Sequence, residues 1–192
     1  MQRFDHPALP VDPYPAPGTI VAELRYDSAL VLVRLKDAPR LRSGEDADYL
    51  TGRPYLVSWR ADGGDWVRIV VPAGLITDLT SVPRPLRWII GRVGPWLEAA
   101  IVHDYLYVAW QDVPGKVPGK ADRAFADAIM LAAMRAAEVR PWMAAAIHWA
   151  VRTFGGRTFA QPKPDRYVDL NDPAIRDQMA FVQPRSHGSR FF

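Results

Sequence analysis

Two side chains able to move protons stand side by side in an otherwise apolar stretch, His103 and Asp104 within Ala99-Ala100-Ile101-Val102-His103-Asp104-Tyr105-Leu106-Tyr107. Imidazole titrates near neutrality, so His103 can relay a proton or bind a metal. A neighbouring carboxylate can hold a cation or act in acid–base chemistry. The apolar surroundings predict that both are buried, which is costly unless each finds a partner. Successive helical positions lie about 100° apart, so the two flank one crevice from adjacent faces, and Tyr107, one turn on, can hydrogen-bond Asp104. The same group would also serve as a buried polar network that fixes helix packing.

Two further carboxylates bear on this centre. Asp78 lies in Val71-Pro72-Ala73-Gly74-Leu75-Ile76-Thr77-Asp78-Leu79-Thr80-Ser81-Val82-Pro83, where a strand ends and a helix is due to start. It can bind a cation or act as a base, or, with Ser81, cap the coming turn. Asp122 precedes Phe125 and Ile129 by three and seven residues, which places it at the head of an apolar stripe pointing to the core. From there it can meet His103 or a cation, or favour the helix dipole. Asp127 falls on another face and is read as a solvated partner of Arg123. Asp78, His103, Asp104 and Asp122 are thus the candidate catalytic and metal-ligating residues, with Tyr107 and Ser81 in support. Calcium or magnesium suits a carboxylate-rich centre, and zinc needs His103 plus acids or a second histidine such as His148. His148 alone reads as a core or groove histidine. No nucleophile elbow, phosphate loop or paired metalloprotease histidines occur.

The elements that must position these residues fall in two blocks. Residues 20–24 and 29–35 are β-branched runs around a polar turn and predict a hairpin; residues 36–53 read as a surface loop. A second hairpin is predicted for 55–59 and 66–71, because Asp62-Gly63-Gly64 supplies positive φ between two strand patterns. Helices follow: a capped one from Ser81 through Ile90, one over 97–110, one over 121–138, and one from Pro141 ending at Gly155-Gly156. Strands first and helices second predict an α+β domain, antiparallel hairpins followed by a bundle of three to four helices. The domain is placed at residues 19–156. Residues 1–18, with five prolines by Pro17, and 157–192 are read as extended arms, the latter with one short helical turn near 173–181.

The chain has 192 residues, enough for one ordinary domain. Its 24 basic and 21 acidic residues leave an excess of +3, too small to argue for nucleic acid. Without a cysteine, disulfide scaffolds and thiol catalysis are excluded. No signal peptide or membrane span is read from the sequence.

Taken in order, the stretches 71–83, His103-Asp104-Tyr105-Leu106-Tyr107, Ala121-Asp122-Arg123-Ala124-Phe125 and Ala150-Val151-Arg152-Thr153-Phe154-Gly155 resemble the uncharacterised family called domain of unknown function 1353, found in phages and prophages. The likeness spans about residues 55–156. It implies phage origin and a small α+β domain, and marks Asp78, His103, Asp104 and Asp122 as motif positions without a role. A second likeness is to secreted phospholipases A2, where a His-Asp-x-x-Tyr helix faces a helix that supplies an Asp; His103, Asp104, Tyr107 and Asp122 match those positions. The chain departs from that class in having no cysteines and no glycine-rich calcium loop just before the helix.

Two functions follow as expectations. The first is a structural or assembly protein of a phage particle, in the virion or the host cytoplasm during assembly, binding other phage proteins or sister copies through residues 1–18 and 157–192. The second is a small hydrolase, with a divalent cation as a candidate cofactor, that uses a His-Asp centre on cell wall or lipid.

Overall fold

A computed structural model describes residues 12–34, 49–77 and 94–179. The expected α+β order holds. Six strands come first: β1 (Glu23–Tyr26), β2 (Leu32–Arg34), β3 (Tyr49–Thr51), β4 (Tyr55–Arg60), β5 (Val67–Val71) and β6 (Ile76–Thr77). Then come α1 (Leu97–Leu106), a 3-10 turn (Ala109–Asp112), α2 (Lys120–Ala136), α3 (Pro141–Ala160) and the short α4 (Pro173–Met179). The capped helix expected from Ser81, and with it Asp78 and Ser81, lies outside the described residues. None of the described helices is long and apolar enough to cross a membrane.

The β4–β5 hairpin forms as predicted, Tyr55 opposite Val71 and Val57 opposite Ile69, with Gly63 at φ +64° in the turn. The first predicted hairpin does not form. β1 pairs antiparallel with β4, Leu24 opposite Trp59, while β2 joins a second sheet of order β2-β3-β6. Strand character is local, but the choice of partner is settled by which edge completes a buried face. β3 also arises inside the stretch expected to be loop, held by the Thr51 side chain: its hydroxyl donates to Pro72 O at 2.7 Å and accepts from Leu75 N–H at 3.0 Å.

The helices pack over the first sheet. α2 lies centrally, touching β1, α1 and α3. Phe125 of α2 sets its ring edge against Trp59 at 5.0 Å, and the Tyr26 hydroxyl donates to Ala133 O at 2.8 Å, so sheet and helix are joined by apolar and polar contacts. α1 buries Ile101, Val102 and Leu106 completely; each such side chain contributes about 1.5–3 kcal/mol. The expected helix over 97–110 is broken after Leu106 by a tighter 3-10 turn.

The last long helix starts at Pro141 as expected, but it runs through Gly155-Gly156 to Ala160. Gly155 permits a close approach, since a Cβ there would lie 2.4 Å from the Tyr107 hydroxyl; one on Gly156 would meet only the flexible end of Arg123, 2.6 Å from Nη1. Beyond the helix, residues 166–168 return to the second sheet, where Ile76 N–H donates to Arg166 O and Val168 N–H to Gly74 O, and Arg166 and Tyr167 both bond Asp112. The described part of the first arm is docked likewise. Tyr14 is buried, its hydroxyl donating to Leu106 O and its ring against Phe125, and Asp12 pairs with Lys116. The expected short helix near 173–181 is α4.

Candidate functional site

His103 lies in α1 and turns its ring toward α2, where Nε2 is 3.0 Å from Asp127 Oδ1. Asp127 is 2% exposed. The same oxygen accepts a hydrogen bond from the Tyr107 hydroxyl at 2.7 Å. Four residues separate His103 from Tyr107, so they stack along one face of the chain, ring centroids 4.0 Å apart, and both reach a single carboxylate on the facing helix. Phe159 of α3 closes the far side, edge-on to Tyr107 with ring centroids 5.2 Å apart.

This overturns two expectations and settles a third. Asp127, expected to be solvated beside Arg123, is the buried acid of the site, because α2 has neighbours on three sides and its buried arc is wider than a single apolar stripe. Arg123 lies over Gly156 instead. Asp122, which could meet His103 or a cation or else favour the helix dipole, does the last: it sits in the first turn of α2 with its Oδ1 3.4 Å from Lys116 Nζ, the lysine that also binds Asp12. Five residues on a helix separate two side chains by about 7.5 Å along the axis and about 140° around it, so Asp122 and Asp127 serve different surfaces. Tyr107 bonds Asp127 rather than Asp104, since Asp104 lies about 100° round from His103.

Asp104 faces the second sheet, where the buried Thr77 hydroxyl donates to its Oδ2 at 2.5 Å. Thr77 ends β6, so this strand end and the His-Asp helix meet through the Thr77–Asp104 bond. Among the described residues no three His, Asp or Glu side chains converge to hold a metal ion. The cation set of Asp78, His103, Asp104 and Asp122 is therefore not assembled by its described members, with Asp122 turned away to Lys116.

The electrostatics favour a fixed proton arrangement. Burial, and then the Asp127 charge, push the Tyr107 hydroxyl far above its ordinary value, so it stays protonated and donates. A carboxylate only accepts, so a proton on Nε2 is what this contact calls for. Nδ1 makes no hydrogen bond to a described residue, and the buried unpaired nitrogens among these residues belong to Trp59, Trp96 and Gln111. The His103 side chain keeps 8% of its surface open to solvent. Nδ1 is the ring atom not engaged by Asp127. His148 of α3, half-buried, is held below its ordinary value first by burial; the Asp127 charge opposes this, while Arg152, Arg135 and His103 reinforce it.

The sequence did carry a sign of Asp127: a lone acid in Ala124-Phe125-Ala126-Asp127-Ala128-Ile129-Met130 must be paired if that run is buried. No curated protein and no solved structure matches the chain. Residues 57–151, which take in most of β4, β5, the His103 helix and Asp127, match the model described as "Protein of unknown function (DUF1353)", and through this part of its length the chain belongs to that family.

Proposed function

We propose that the chain is a small hydrolase that cleaves esters, with His103 as general base. The observation that carries this reading is the bond from His103 Nε2 to buried Asp127, braced by Tyr107, which leaves Nδ1 as the ring nitrogen not engaged by Asp127. In this reading Nδ1 takes a proton from water as the water oxygen attacks the ester carbonyl carbon. Asp127 stabilises the imidazolium that forms and holds the ring in one tautomer. When the tetrahedral intermediate collapses, the bond to the leaving alcohol breaks and His103 returns the proton to that oxygen. Acid, alcohol and the starting imidazole result. The likeness to phospholipases A2 gave the acid opposite His103 as Asp122; Asp127 holds that place here.

The alternative proposal, a structural protein of a phage particle docked through free arms, has less to support it. The described parts of both arms, around Tyr14 and Tyr167, lie against this chain's own domain.

The test is release of free acid from phospholipid vesicles and short-chain esters, and of fragments from purified cell wall, by wild type and His103→Gln. Loss of about 10²–10⁴-fold in ester cleavage with an unchanged melting temperature is the expected result. Absence of ester cleavage by the wild type, or equal rates in the variant, would overturn the reading; cell-wall fragments without acid release would replace esters with another substrate.

A further inference from the structure

The solvent face of α3 combines two features that soluble surfaces rarely place together. Trp142 and Trp149, two turns apart, are 54% and 62% exposed, and Phe154, 58% exposed, meets Trp149 with ring centroids 5.8 Å apart at 89°. The charged side chains of α3 and the residues that flank it are all cationic. From Val139 to Pro164 the chain holds Arg140, Arg152, Arg157 and Lys163 and no Asp or Glu. The three arginines are exposed, and none joins an ion pair among the described residues.

Helical geometry orders them. With Trp149 at the centre, Trp142 lies about 20° away, and Arg152 and Arg157 lie about 60° to one side and about 80° to the other. A ridge of indole is therefore flanked on both sides by guanidinium groups. The opposite face, with Ala144 and Ile147, is buried in the domain, so the outer face can be used without any rearrangement.

We propose that this face of α3 docks on an anionic lipid surface. Indole and phenyl rings settle at the headgroup level, where apolar body and polar edge are both satisfied, while arginines meet negative headgroups. A bare polyanion would use the arginines and leave the rings in water. A second copy of the chain would cover the rings and bring like charges together. The inference stands on α3 and does not depend on the hydrolytic reading.

The experiment is sedimentation of the full chain with vesicles of phosphatidylcholine alone, or of phosphatidylcholine with a third phosphatidylglycerol. Binding to the anionic vesicles should exceed binding to the neutral ones by at least about tenfold and weaken with salt. The double variants Trp142→Ser/Trp149→Ser and Arg152→Gln/Arg157→Gln should each weaken it about tenfold or more while keeping the wild-type melting temperature. His103→Gln should bind as the wild type does, so that a chain without esterase activity still tests the docking. The proposal is overturned by failure to bind anionic vesicles, by equal binding to neutral ones, or by full binding of the tryptophan double variant. It is likewise overturned by a dimer in solution that the tryptophan substitutions abolish, which would assign the face to a second copy.

Discussion

Gly155 of α3 lies directly over the Tyr107 hydroxyl, so close that a Cβ on the glycine would fall 2.4 Å from the oxygen that bonds Asp127. The neighbouring glycine faces only the far end of the Arg123 side chain. One substitution therefore strikes an anchored ring, and the other strikes a group that can swing aside. Gly155→Ala should lower stability by up to about 2 kcal/mol, overpacking of about 1–3 kcal/mol being offset by the roughly 1 kcal/mol helix gain. Gly156→Ala should be neutral or stabilising. Urea unfolding of the two variants reads the contrast directly.

Tyr107→Phe removes a donor from a buried carboxylate without opening a cavity. Leaving that acceptor short of a partner should cost about 1–3 kcal/mol in stability. Because His103 keeps its bond to Asp127, the loss in ester cleavage should be much smaller than for His103→Gln. A pair of activity and melting measurements checks this; a Tyr107→Phe enzyme as impaired as His103→Gln would give Tyr107 a direct part in the reaction.

Tyr14 makes the start of the chain part of the domain. Its ring is 7% exposed and its hydroxyl is tied to the carbonyl of Leu106, one residue before Tyr107. Tyr14→Ala should cost about 3–5 kcal/mol, the range for a buried aromatic, and Tyr14→Phe about 1 kcal/mol. Thermal unfolding that is unchanged in Tyr14→Ala would show the segment to be dispensable.

His148 gives stability a dependence on pH. Burial lowers its folded value below the ordinary 6.5, so the unfolded chain binds the proton more readily. The contribution is fully present above pH 6.5 and declines as pH falls below that value toward the lower folded value. Wild-type melting temperature should therefore drop on acidification in this window, and His148→Gln should drop less. Identical curves for the two proteins would count against the assignment.

Much of this protein was determined by the order of its residues alone. The β4–β5 hairpin was legible because Asp62-Gly63-Gly64 dictates a turn between alternating strands, and α1, α2 and α3 because apolar spacing and Pro141 mark helices over short distances. The burial of His103 and its need for a partner followed from its apolar neighbours. Tertiary structure alone decided which acid answers that need. Periodicity gives one inward face per helix, but α2 is enclosed by β1, α1 and α3, so Asp127 is drawn inside and Asp122 is left to Lys116 and Asp12. The same limit applies to strand partners and glycines. β1 leaves its sequence neighbour for β4, and Gly155-Gly156 continues a helix, because long-range packing settles choices that local signals leave open.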